Sequence, residues 1–153
     1  MQAVDLSIRT YGWHHVFVED PKPWSYTIGL RESFGHPELA VVDLELSAQR
    51  ELVRWACESI EDIGSIDRFE QRALGVEIVT VHDAHLRDPE WFGTWHAFYG
   101  TEPPPGSFLQ ILPPPGWECH GHRGSSRRLD LPDAPPGGSR AQPRAHSRGR
   151  RRP

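Results

Sequence analysis

His36 and Glu38 stand two residues apart in the polar sequence Phe34-Gly35-His36-Pro37-Glu38. An imidazole that titrates near neutrality, fixed on a turn beside a carboxylate, can act as a general base or as an anchoring donor. The same two side chains bonded to nearby backbone would instead brace the turn and hold its flanking strands in register. Tyr26, Thr27 and Gly29 lie just upstream. A glycine inside a strand pattern marks a bulge, a bend, or the close approach of another backbone or a ligand. Tyr26, Thr27, Gly29, His36 and Glu38 are therefore the candidate ligand- or partner-binding residues. The sequence names no catalytic residue.

Other chemistries find less support. The chain has nine histidines, and His82 and His85 are three apart, with His14, His15, His36 and His96 able to approach them in a fold. Zinc needs three or four ligands at fixed geometry, and there is no HExxH, CxxC or paired Cys/His spacing. Cys119-His120-Gly121-His122 has a metal-like look but falls where the composition changes. No metal site is assigned and no cofactor is predicted. No Gly-rich phosphate loop and no GxSxG elbow occurs. Cys57 sits in an apolar helical stripe and reads as a packed thiol, not a nucleophile.

The elements that must position the candidates follow from periodicity. Residues 4–10 fit helix or strand. Trp13–Val18 is β-branched and aromatic and stops at Pro21 and Pro23, which preset φ and remove donors. Ser25–Leu30 alternates, with Tyr26, Ile28 and Leu30 on one face. Leu39–Leu44 is nearly all apolar and suits a strand buried on both faces. The Gly-His-Pro-Glu turn joins these last two strands. Leu52, Val53, Ala56, Cys57, Ile60 and Ile63 then form one stripe of a helix, with Ser47 as expected N-cap and Gly64 as its C-terminal stop. Gly75–Val81 alternates as a strand. Asp88-Pro89 starts a second helix, which carries Trp91, Trp95 and Phe98 on one face, better suited to core packing than to a ligand. Phe108–Leu112 is a last strand. The expected fold is α+β, a mostly antiparallel sheet of about five strands packed with two main helices.

Composition divides the chain. The formal charge is −4 over 153 residues. Beyond Cys119 nine Arg oppose Asp130 and Asp133, a local +7 that leaves −11 for residues 1–119. The expected organisation is a single domain over 1–118 and a disordered Arg/Pro/Gly-rich tail over 119–153, since that tail offers too little apolar surface to offset its ordering entropy. With sixteen Arg and one Lys, the chain has the usage of a GC-rich gene, and the tail resembles such a gene read in a shifted frame. An acidic body disfavours nucleic acid, except for salt-sensitive contacts through the tail, and disfavours anionic membranes. No apolar run is long enough to span a bilayer, and no secretory signal opens the sequence. A cytoplasmic protein with reduced thiols is expected.

Tyr11-Gly12-Trp13-His14, Tyr26-Thr27-Ile28-Gly29-Leu30, Phe34-Gly35-His36-Pro37-Glu38-Leu39 and Leu109-Gln110-Ile111 resemble, in this order, the motif series of the bacterial family known as domain of unknown function 4262. The resemblance covers about residues 8–118. It departs where Leu112-Pro113-Pro114-Pro115 replaces the family's Trp-Pro-Asp and where Gly116-Trp117-Glu118 only loosely follows its closing segment. It implies an α+β fold and a bacterial source, and it brings no established activity. Two functions remain. One is a binding or regulatory module whose His-Pro-Glu turn helps shape a surface for a protein partner. The alternative is an enzyme or small-ligand domain with Tyr26, Thr27, His36 and Glu38 around a pocket. A deep apolar pocket converging on His36 favours the second, and a His36 satisfied by backbone favours the first.

Overall fold

A computed structural model describes residues 1–19, 23–117 and 126–132. The Cys119-His120-Gly121-His122 cluster and the tail over 119–125 and 133–153 lie outside the described residues. The elements are α1 (Gln2–Tyr11), β1 (His14–Val18), β2 (Trp24–Ile28), α2 (Leu30–Phe34), β3 (Glu38–Val42), α3 (Leu46–Ile63), α4 (Arg68–Leu74), β4 (Glu77–Thr80), α5 (Asp83–Leu86), α6 (Pro89–Tyr99) and β5 (Phe108–Leu112). The fold is α+β, as expected, around a five-stranded sheet of order β1-β2-β3-β5-β4. Three pairings are antiparallel and β3 with β5 is parallel.

Each face of the sheet is covered. Trp24, Tyr26, Ile28, Ala40, Val42 and Phe108 pack with Val4 of α1 and with Leu86, Trp91, Phe92 and Trp95 of α5 and α6. Leu39, Val41 and Ile111 face the opposite way, onto Leu52, Val53, Ala56, Cys57 and Ile60 of α3. β3 is buried along its whole length, as its continuous apolar run requires. β2 is also buried throughout, although its alternation promises a polar face. Two helical layers account for this, because Ser25 and Thr27 lie beneath a covered face and not in water.

Several local expectations shift. The strand over Ser25–Leu30 ends at Ile28, and α2 intervenes before the His-Pro-Glu turn, so the two strands are joined through a helical turn and not by a tight loop alone. Residues 4–10, ambiguous by pattern, are helical. α3 begins earlier than Ser47, with Glu45 as its N-cap and no side-chain cap bond. Its C-terminal stop at Gly64 and the Asp88 cap of α6 fall where the signals place them. The stripe thiol, Cys57, is buried in the α3 face.

Residues 126–132, within the stretch whose composition reads as disordered, pack onto the domain. Ser126–Arg128 have no helix or turn, and a turn begins at Leu129. Leu129 is 0% exposed and belongs to the α6-side core. Overall composition concealed this, because a single buried leucine and a few bonds suffice to dock a short strap.

Candidate functional site

The His-Pro-Glu turn is held together from within. The ring Nδ1 of His36 donates to the Pro37 carbonyl at 2.7 Å. Glu38, at the start of β3, is fully buried and turns its carboxyl back onto the opening of α2. It accepts from the Leu30 amide at 2.5 Å and from the Arg31 amide at 3.4 Å. Burial drives its pKa up to about 8, against the lowering pull of these backbone amides, with Glu32 adding to the rise. Thr27 Oγ1 accepts from the Leu39 amide at 2.9 Å, tying β2 to β3 on the α3 side. Tyr26 OH accepts from the Thr94 amide of α6 at 2.9 Å, and its ring lies edge-on to Phe92 and Phe108. Gly29 has φ +107°, and a Cβ there would stand 2.8 Å from Ile8 Cγ1 and 3.0 Å from the Gly12 carbonyl. The close approach that its glycine signals is that of the α1 terminus.

One cavity, about 860 Å³, lies between the end of α1, the start of β1 and α3, and includes Tyr11, Trp13, His15, Arg54 and Cys57 in its wall. Another, about 440 Å³, lies by Phe17, Trp24 and Arg50. Neither wall contains Tyr26, Thr27, Gly29, His36 or Glu38. His15 is held neutral, its pKa lowered to about 4 chiefly by burial, with His14 and Arg50 adding to the effect. Burial also pushes the Cys57 thiol up, well away from a reactive thiolate. His82 and His85 are spent differently. His82 Nδ1 caps α5 by accepting from the Ala84 amide, and His85 Nε2 donates to the Leu131 carbonyl at 2.6 Å. Among the described residues no three His, Cys, Asp or Glu side chains are placed to hold a metal ion.

A second constellation, invisible to motif reading, gathers where β3 and β5 end. Asp43 follows β3 with φ +65°, a conformation that Asp tolerates better than most residues. Its carboxylate is completely buried. It accepts from the Arg127 backbone amide at 2.8 Å, from Arg127 Nη2 at 2.8 Å and from Arg127 Nε at 3.0 Å. The guanidinium also lies 5.0 Å over the Trp91 ring. At the middle of β5, the Gln110 carboxamide donates to the Arg127 carbonyl and accepts from the Leu129 amide, both at 2.6 Å. Bonding the carbonyl of one residue and the amide of the next but one is how a strand residue holds a parallel neighbour. Gln110 reproduces that pattern with its side chain. The His82 amide donates to the Leu129 carbonyl at 2.7 Å. Between these anchors Arg128 reaches out to Glu77 and Asp130, each at 3.0 Å.

The family described as domain of unknown function (DUF4262) matches residues 7–115, which hold all five strands. The chain belongs to the DUF4262 family. No curated protein and no solved structure matches it. Within the DUF4262 stretch lie the whole His-Pro-Glu turn, Asp43 and Gln110, while the strap at 126–132 falls beyond it. Three faint signals in the sequence mark this second site. Asp43 is the one charge in the apolar run Leu39–Leu44, and Gln110 is the one polar residue in Phe108–Leu112. Within the tail, Leu129 and Leu131 are the only leucines, alternating with charge in Arg128-Leu129-Asp130-Leu131.

Proposed function

We propose that this domain is an interaction module that holds a polypeptide segment of a protein partner at the β3–β5 end of its sheet, and that it is not a catalyst. The observation that carries this reading is the pair of hydrogen bonds between the Gln110 carboxamide and the strap backbone. Hydrogen bonds to main chain are how peptide-binding domains gain affinity without dependence on side-chain sequence, while flanking pockets supply selectivity. The catalytic alternative finds its candidate groups engaged elsewhere. His36, Glu38, Thr27 and Tyr26 each bond backbone of their own domain, and a His36 satisfied by backbone favours a structural turn. In this account the turn supports the module by fixing β2, α2 and β3, and the gripping surface lies at the far end of β3.

The test is binding of a free segment by the full chain. A fluorescein-labelled heptapeptide with the sequence of residues 126–132 is titrated onto the chain carrying Leu129→Ala, which weakens the resident strap. Saturable binding with a Kd of about micromolar order is expected for one short segment. Absence of saturable binding to a variant that still unfolds cooperatively would refute the module.

A further inference from the structure

We infer that the groove selects an Arg-x-Leu segment of a protein partner, and that residues 126–132 are its resident competitor. This rests on the interaction-module reading and adds to it the identity of what is recognised. Three features set the selectivity. The first is the Asp43 carboxylate, 0% exposed and approached through Nε and Nη2 together. A planar guanidinium fits this fork, whereas an ammonium is a point donor that cannot make the paired contact. Trp91 adds a ring face against the guanidinium. The second is the site filled by Leu129, closed to solvent within the core that includes Phe108, Trp91 and Leu86. The third is the spacing. Gln110 bonds the carbonyl of the arginine and the amide of the leucine, so the two anchors must be separated by one residue. That middle residue, Arg128, has its side chain 40% exposed and paired with Glu77 and Asp130 at the surface, so its identity matters least. The acidic charge of residues 1–119 favours approach of such a basic segment.

A tethered segment competes with a free one at an effective concentration of about millimolar order. The strap therefore keeps the groove closed to weak ligands and yields only to a segment that binds better, or when the Asp43–Arg127 contact is loosened. Regulation follows from that competition without any movement of the sheet.

The experiment uses the full chain as wild type, as Arg127→Lys and as Leu129→Ala, each checked for cooperative thermal unfolding. Four labelled heptapeptides are titrated by fluorescence anisotropy: Ser-Arg-Arg-Leu-Asp-Leu-Pro, the same with Lys or with Ala in place of the first arginine, and a scrambled peptide of equal composition. The arginine peptide is expected to bind Arg127→Lys about tenfold more tightly than wild type, because the resident strap is weakened. The Lys, Ala and scrambled peptides are expected to bind at least about tenfold more weakly than the arginine peptide. Equal binding of the arginine and lysine peptides, or of the scrambled one, would overturn the Arg-x-Leu selectivity while leaving a segment-binding module intact. No binding of any peptide to either folded variant would overturn the module itself. Should Arg127→Lys not fold, Leu129→Ala carries the same comparison.

Discussion

Glu38 offers the most quantitative prediction. Its carboxyl is buried at 0% exposure and its pKa stands at about 8, raised from 4.5 first by burial. In the unfolded chain it titrates as an ordinary carboxyl, so between pH 4.5 and 8 the folded state holds a proton that the unfolded state has released. Stability from this group is thus fully present below pH 4.5 and is lost as pH rises through 8. The full span corresponds to about 5 kcal/mol as an upper bound. Relaxation around the bonds from the Leu30 and Arg31 amides should reduce it to about 2–3 kcal/mol. Glu38→Gln removes the titration and retains a carbonyl oxygen for the Leu30 amide. Urea unfolding of both proteins at intervals from pH 5 to pH 9 provides the assay. The variant should gain stability relative to wild type by about 2–3 kcal/mol across that range. Buried His15, with its pKa lowered to about 4, costs the native state stability as pH falls below 6.5. It is present in both proteins and cancels in the difference. Parallel stability profiles for the two proteins would refute the placement of Glu38 as a buried acid.

Two further predictions concern the groove and the turn. Arg127→Ala should destabilise the chain by about 3–5 kcal/mol because it leaves the Asp43 carboxylate buried and unpaired. A thermodynamic cycle with Asp43→Asn should return a coupling above about 1 kcal/mol, and simple additivity would contradict the pairing. His36→Ala should cost about 1 kcal/mol, the value of one backbone-directed bond. In the heptapeptide titration onto the Leu129→Ala chain, adding His36→Ala should leave the Kd unchanged, and a weakened Kd would return His36 to the binding surface.

Patterns that depend on neighbours in sequence were legible, and those set by distant packing were not. The α3 stripe, the Asp88-Pro89 start of α6 and the all-apolar β3 each carry their signal within a few residues. They gave the fold class and the two long helices. α2 was missed because Leu30–Phe34 is a five-residue helix, too short for a periodic signature, and its opening amides are satisfied by Glu38 from eight residues away. The buried polar face of β2 depends on α3 covering it, which alternation cannot reveal. His36 bonds the carbonyl of the very next residue, but the Leu30 and Arg31 amides that Glu38 accepts from are brought to it only by the α2 turn. The second constellation was the least legible part. Asp43 and Arg127 are 84 residues apart, and the strap lies in a segment whose average composition masks the alternation in Arg128-Leu129-Asp130-Leu131.

If the β3–β5 end grips a segment through Gln110, the side-chain amide of that residue reports on it directly. In ¹⁵N-resolved NMR of the full-length Leu129→Ala chain, unlabelled Ser-Arg-Arg-Leu-Asp-Leu-Pro peptide is added to saturation. The Gln110 carboxamide resonances should move and saturate with the same Kd as the anisotropy titration, together with the Trp91 indole. Saturable peptide binding that leaves the Gln110 and Trp91 resonances in place would contradict the grip through Gln110.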